Sequence, residues 1–97
     1  MALEIVWTKQ AEKGYAKIIK YLDSHFGDKE IRNFIRQTHD FFDLLTEYPE
    51  MLKASKKHKY LHRGPINKNT ILTYRIKPRK KQIQLINIRA ARKKPLK

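Results

Sequence analysis

The chain has 97 residues and a formal net charge of +14, with 23 lysines and arginines against nine acids. This length predicts one domain with one hydrophobic core. The absence of cysteine excludes disulfides and thiolate metal sites, and no apolar run approaches the ~20 residues that a membrane span needs. We therefore expect a soluble, cytoplasmic protein.

The first half of the chain predicts a short strand followed by two amphipathic helices. Residues 3–7, LEIVW, are rich in β-favouring types. Thr8 is the predicted N-cap of the first helix, and Gly27 is predicted to end it as the C′ residue. Asp28 is predicted to cap the second helix, which stops at Pro49. The apolar stripes are Ala11, Tyr15, Ile18, Leu22 and Phe26 in the first helix, and Ile31, Phe34, Ile35, Thr38, Phe42 and Leu45 in the second.

The second half changes to the two-residue period of β-strands. Residues 59–63 predict one strand, and the turn-forming residues between 64 and 69 end it. Residues 70–77 predict a second strand, and residues 82–89 a third. In the middle strand, Leu72, Tyr74 and Ile76 are predicted to share one face. In the last strand, Ile83 and Leu85 are predicted to lie on one face, and Ile86 and Ile88 on the other.

The predicted order, β-α-α-β-β-β, is that of an α+β fold. Three consecutive strands with short connections pair as an antiparallel meander, and the first strand joins them, so the expected sheet has four strands and is mainly antiparallel. Two antiparallel helices cover one face of this sheet and leave the other face open. Residues 1–97 are expected to form a single domain, in which residues 90–97 are a basic C-terminal tail.

Charge is divided very unevenly along the chain. Residues 1–50 hold seven Lys/Arg and all nine Asp/Glu, a balance of −2, whereas residues 51–97 hold 16 Lys/Arg and no acid. The two balances, −2 and +16, give the total of +14. The acids then fall on the helices and the cations on the sheet. A basic open face predicts a polyanionic partner, which could be nucleic acid, an acidic protein segment or an anionic membrane.

Four segments of the chain share their order and spacing with a known family. They read IVWTKQAEKGYAKIIKYL, FFDLLTEYPEM, HRGPINKNTILTYRI and IQLINIRAARKKP, and together they span residues 5–95. With them the chain resembles the RelE/ParE superfamily of bacterial type II toxins, in its ParE-like, plasmid-stabilisation branch. The resemblance implies a growth-inhibiting toxin that a cognate antitoxin neutralises through an acidic segment, in a hetero-oligomer of the two.

Two activities occur in that superfamily. RelE-like members cut messenger RNA on the ribosome, whereas ParE-like members poison DNA gyrase. RelE-like nucleases usually carry a tyrosine or histidine beyond the last strand, and neither residue follows Tyr74 here. The comparison favours a gyrase poison that is not an enzyme. An mRNA endoribonuclease is the alternative, and its conditional catalytic set would be His62, Arg63 and Arg92.

The candidate binding residues are basic side chains of the second half. Arginine presents a donor fork that suits phosphate and carboxylate groups. No metal site or cofactor is expected, because no pair of histidines has convincing ligand spacing. The predicted contacts to target or antitoxin are Lys59, Arg63, Lys68, Arg75, Arg89 and Arg92.

Two further hypotheses give the chain no toxic activity of its own. One is a non-enzymatic, basic RNA-binding or ribosome-binding module, which the net charge supports but which lacks the aromatic stacking pairs of an RNA-binding sheet. The other is an inactive relative that still pairs with an antitoxin. Expression alone would separate the second of these from an active toxin, because an inactive relative leaves growth unaffected.

Overall fold

The computed structural model describes residues 3–91, and these residues form two helices and five strands. In chain order the elements are β1 (Glu4–Trp7), α1 (Lys9–His25), α2 (Asp28–Glu47), β2 (Lys53–Ala54), β3 (Leu61–Asn67), β4 (Thr70–Lys77) and β5 (Gln82–Ala90). The strands form one sheet in the order β1-β5-β4-β3-β2, in which β1 is parallel to β5 and all other neighbours are antiparallel. The predicted α+β class is confirmed, and the predicted count of four strands is wrong because β2 was missed.

Both helices pack on one face of the sheet, as predicted. Helix α1 lies against β5, and α2 contacts β1 and β3. The core between the layers is one buried cluster, made of Ala11, Leu45, Leu72, Tyr74, Ile76, Ile83, Leu85 and Ile88. None of the described helices is both long enough and apolar enough for a membrane span.

Thr8 joins the start of α1 to the middle of β5. Its Oγ1 accepts a hydrogen bond from the backbone N–H of Ala11 at 3.2 Å, which confirms the predicted N-cap. The same hydroxyl donates to the carbonyl oxygen of Leu85 at 2.7 Å. One side chain therefore fixes both the first turn of the helix and its position over the sheet.

We expect Thr8→Ala to lower the free energy of unfolding by about 1–2 kcal/mol, because it removes an N-cap and a hydrogen bond to a part-buried carbonyl. Urea titration followed by circular dichroism measures this change. Thr8→Ser keeps the hydroxyl and should lose little stability. Equal losses in the two variants would show that the methyl group of Thr8, and not its hydroxyl, carries the effect.

Gly27 connects the two helices in a way that the sequence only partly predicted. It follows Phe26, the C-cap of α1, but its φ of −145° is extended backbone and not the left-handed conformation expected at C′. Gly27 is instead the N-cap of α2, and its N–H donates to Oε1 of Glu30 at 3.3 Å. Asp28, the predicted cap, is the first helical residue, where its carboxylate still stabilises the helix through the macrodipole.

The predicted end of the 59–63 strand is also wrong. Strand β3 begins at Leu61 and continues through Gly64 and Pro65, where the composition predicts a turn. The two residues of β2 pair only with Arg63 and His62. From Gly64 onwards β3 is therefore a sheet edge on that side, where a proline is tolerated.

A β-bulge in β5 corrects the predicted faces of the last strand. Thr73 pairs with Asn87 and Tyr74 pairs with Leu85, so Ile86 has no partner in β4. The extra residue shifts the alternation by one position. Ile83, Leu85 and Ile88 consequently all lie in the core, although the simple two-residue period had placed Ile88 on the opposite face from the other two.

Candidate functional site

The sheet face that points away from α1 and α2 collects cations from four strands. Directly paired residues of neighbouring strands share a face. Lys53 of β2 lies opposite Arg63, which lies opposite Thr73 of β4. Since Leu72 and Tyr74 on either side of Thr73 are buried against the helices, this row belongs to the other face, which we call the open face. Its charged members among residues 3–91 are Glu4, Lys53, Arg63, Arg75, Lys77 and Arg89.

Three of the predicted contact residues come together on the open face. They are Arg63, Arg75 and Arg89, and all three are exposed. Lys53 and Lys77 also lie on this face, and the sequence did not predict them as contacts. For Lys53 the reason is that β2 is too short to give a pattern. The position of Lys77 could have been read from the alternation of β4, since it lies two residues beyond Arg75 on the same side.

The other predicted contacts lie outside the strands. Lys59 is in the connection that leads into β3, with its Nζ 5.3 Å from the centroid of the Tyr60 ring. Lys68 is in the turn between β3 and β4, at the opposite end of β3. Both are exposed. Arg92 is outside the described residues.

The cations of the open face have no acidic partners nearby. Residues 3–91 contain one ion pair closer than 4.0 Å, between His39 and Asp43 on α2. Glu4 lies on β1 at the far edge, and β5 separates it from β4. Lys53 and Arg63 face each other directly across β2 and β3. Like charges in that position repel each other, so the open face presents uncompensated positive charge.

His62 and Tyr74 lie on the opposite side of the sheet, under the helices. They are paired residues of β3 and β4, both buried, and their rings stack with centroids 5.1 Å apart. His62 Nδ1 is 2.7 Å from the carbonyl oxygen of Leu52, and the Tyr74 hydroxyl donates to the carbonyl oxygen of Pro49 at 2.6 Å. Burial raises the pKa of Tyr74 to about 12. The two rings thus fasten the connection between α2 and β2 to the sheet.

The residues of the conditional catalytic set are not brought together by the described part of the chain. His62 and Arg63 are successive residues of β3, so their side chains point to opposite faces. His62 is buried whereas Arg63 is exposed. The third member, Arg92, is outside the described residues.

A groove of about 1020 Å³ runs between α1, α2 and the ends of β4 and β5. Its apolar wall consists of Ile18, Tyr21, Leu22, Phe26, Phe34 and Ile88. Lys13, Lys17 and Arg89 line it as well, against one acid, Glu30. Tyr21 and Phe26 are about half exposed, at 48% and 56%. The groove therefore combines an incompletely covered apolar wall with a net positive charge.

One group of metal-type ligands occurs among residues 3–91. It consists of His39, Asp40 and Asp43, whose ligand atoms lie within 4.8 Å of one another. All three side chains are exposed on α2, and His39 Nδ1 already lies 3.6 Å from Asp43 Oδ2 as an i,i+4 neighbour. This is the spacing of an ordinary helix-surface ion pair.

Comparison with protein families gives a match over almost the whole chain. The family model for the ParE toxin of type II toxin–antitoxin systems, parDE, matches residues 5–95. The resemblance read from the four sequence segments is therefore confirmed. Comparison with curated protein sequences gives no match.

Solved structures share the fold at low sequence identity. The toxin–antitoxin complex RelBE2 from Mycobacterium tuberculosis contains a chain with 12% identity and a TM-score of 0.65, covering 93% of this chain and 99% of that one. The chromosomal ParDE system from P. aeruginosa gives 13% identity and a TM-score of 0.74, over 94% of this chain and 98% of that one. A conserved hypothetical protein from Helicobacter pylori gives 21% identity and a TM-score of 0.51, over 92% and 94% of the two chains. At these identities the likeness concerns the fold alone.

Proposed function

Because the chain belongs to the ParE toxin family of type II toxin–antitoxin systems, we propose that it inhibits growth by poisoning DNA gyrase and that a cognate antitoxin neutralises it. The open face is the surface that meets the target. In this mechanism no side chain of the toxin acts as a catalyst, because gyrase itself breaks the DNA. The alternative within the superfamily is cleavage of messenger RNA by the toxin.

The separation of cations from acid–base groups supports gyrase over messenger RNA. Cleaving RNA requires a base for the 2′-hydroxyl and an acid for the leaving oxygen, both within hydrogen-bond reach of the phosphate that the cations hold. Among the strand residues of the open face, within the described chain, the arginines are accompanied by no histidine or tyrosine. His62 and Tyr74 lie on the other side of the sheet, where His62 Nδ1 and the Tyr74 hydroxyl are hydrogen-bonded to backbone carbonyl oxygens. Glu4 is two strands away from β4, at about 10 Å.

The groove supports the proposed antitoxin contact. An acidic, amphipathic segment would place apolar side chains against Leu22, Phe26 and their neighbours, and its carboxylates near Lys13 and Lys17. The RelBE2 structure is, by its own description, a toxin–antitoxin complex. We therefore place the antitoxin in this groove and the target at the open face. Arg89 lines the groove and also lies on the open face, so the two sites meet there.

Incubating the purified chain with DNA gyrase and supercoiled plasmid tests the proposed target. We expect linear DNA to accumulate after protein digestion, and induction in cells to cause DNA breaks and an SOS response while messages stay intact. Co-expression of the cognate antitoxin should restore growth. Arg63→Gln/Arg75→Gln should reduce the DNA breaks, whereas Lys29→Gln/Arg32→Gln removes the same charge from the exposed surface of α2 and should not.

Primer extension on messages from the same induced cells provides the opposing result. Discrete cuts inside codons, together with intact DNA, would establish the messenger-RNA nuclease instead. Unchanged growth after induction of a folded, soluble chain would identify an inactive relative.

A further inference from the structure

Four cations on the open face form a continuous line, which we call the cationic stripe: Lys53, Arg63, Arg75 and Lys77. Lys53 lies directly opposite Arg63. Arg75 is the diagonal neighbour of Arg63, because Arg63 pairs with Thr73 two residues earlier in β4. Lys77 follows on the same face of β4. The stripe crosses two strand spacings, from β2 to β4, and extends four residues along β4, from the level of Thr73 to Lys77. Its length is therefore about 16 Å.

The stripe is not explained by the usual role of charged residues on sheets. Charges on edge strands prevent sheets from pairing edge to edge. Arg75 and Lys77, however, belong to β4, the central strand of the five. Lys53 and Arg63 add a direct opposition of like charges. Repulsion of this kind lowers stability in the free protein and is relieved when an anion binds between the charges.

We propose that the cationic stripe binds the phosphate backbone of duplex DNA. Over 16 Å, each strand of a duplex presents about five phosphates, which is close to the number of cations in the stripe. Guanidinium, amide and hydroxyl donors are the groups that contact DNA phosphates. Thr73, Gln84 and Asn87 supply amides and hydroxyls within the same rows.

The composition of the open face favours a duplex over single-stranded nucleic acid. Sheets that bind single strands stack bases on aromatic rings. Among the strand residues of the open face there is no aromatic ring within the described chain, because Tyr74 faces the helices and Trp7 packs on Tyr15. The choice of DNA over duplex RNA rests on the proposed function, since gyrase holds a DNA duplex. In that complex the stripe would meet the DNA beside the enzyme.

Fluorescence anisotropy with a labelled 25-base-pair DNA duplex, titrated with the full chain between 50 and 200 mM salt, tests this proposal without gyrase. Affinity should fall steeply with salt. Arg63→Gln/Arg75→Gln should make the slope of log K against log salt less steep by about 2, and should weaken binding at 100 mM salt by about 10-fold or more. Lys53→Gln should also weaken binding while leaving the urea midpoint unchanged or raised, because it removes the like-charge opposition.

The control is Lys29→Gln/Arg32→Gln, which removes two exposed positive charges from α2. If it changes the slope as much as the stripe variant does, binding follows net charge alone and the stripe is not a site. Tighter binding to single-stranded DNA or duplex RNA would also overturn the proposal. So would stripe substitutions that weaken binding to an acidic peptide such as poly-glutamate but leave binding to the DNA duplex unchanged. Because gyrase is absent, DNA binding without gyrase poisoning refutes only the proposed function, and gyrase poisoning without DNA binding refutes only the stripe.

Discussion

Replacing Gly14 with alanine is expected to lower the free energy of unfolding by about 3 kcal/mol, at the upper end of the usual cost of overpacking. Gly14 lies in α1 where the helix crosses β5, and a Cβ at this position would overlap the carbonyl oxygen of Ile88. The obstacle is backbone, which cannot rotate away as a side chain could. Helix α1 would have to lift from the sheet and expose part of the core around Ala11 and Ile88. Urea titration followed by circular dichroism measures the loss.

The sign of the change makes Gly14→Ala diagnostic. Helix propensity alone would make a Gly→Ala change in a helix interior stabilising by about 1 kcal/mol. Ala16→Gly, on the exposed side of the same helix, provides the matched control and should cost about that amount. Gly27→Ala should have a small effect, since the nearest atom to a Cβ there is Oε1 of Glu30 at 4.0 Å. A stabilised Gly14→Ala protein would mean that α1 does not approach β5 this closely.

The elements that the sequence predicted well are those determined by local pattern. Residues 70–77 alternate without interruption, so Leu72, Tyr74 and Ile76 could be read directly as core residues. The helix stripes predicted the existence and length of both helices, but their outer members Phe26 and Ile35 are 56% and 42% exposed and do not belong to the core. The open face followed from the same reasoning. Alternation in β4 places Arg75 on the opposite side from Tyr74, and the structure has them so.

The elements that the sequence did not predict are determined by contacts between distant residues. Strand β2 has two residues and exists because it pairs with β3 and because Leu52, next to it, accepts the hydrogen bond from His62. The bulge at Ile86 is likewise visible only when β5 is aligned with β4. Gly64 favours a turn by composition, yet here it makes room for Leu52, whose Cδ2 would lie 2.9 Å from a Cβ. None of these contacts leaves a pattern within one segment.

One grouping of candidate residues failed for a reason that was present in the sequence. His62 and Arg63 were assigned together to a conditional catalytic set because they are adjacent and chemically suitable. Adjacent residues of a strand point to opposite faces, so a single strand could not present both to one phosphate. The alternation of β3 therefore predicts that His62 and Arg63 lie on opposite faces of the sheet.

Tyr74→Phe is expected to lower the free energy of unfolding at pH 8 by about 1–2 kcal/mol, because the Pro49 carbonyl loses its hydrogen bond from the buried hydroxyl. The effect should depend on pH. Burial raises the pKa of Tyr74 from 10.0 to about 12 in the folded protein. Between these values the unfolded chain releases the phenol proton and the folded chain keeps it. The stability contributed by Tyr74 is therefore complete below pH 10 and is lost as the pH rises towards 12.

At pH 11 this loss amounts to about 1.4 kcal/mol, so the unfolding free energies of the parent chain and Tyr74→Phe should converge near that pH. Urea titrations at pH 8, 10 and 11 measure the difference in free energy of unfolding between the two proteins. The ionisation of lysines and of the other tyrosines affects both proteins equally and cancels in this difference. Tyr60→Phe is the matched control, since Tyr60 is 45% exposed, and it should leave the free energy of unfolding at pH 8 close to that of the parent chain. A constant difference between the parent chain and Tyr74→Phe from pH 8 to 11 would show that the phenol ionises as readily in the folded state as in the unfolded state, and hence that Tyr74 is not sealed between the sheet and the 49–52 connection.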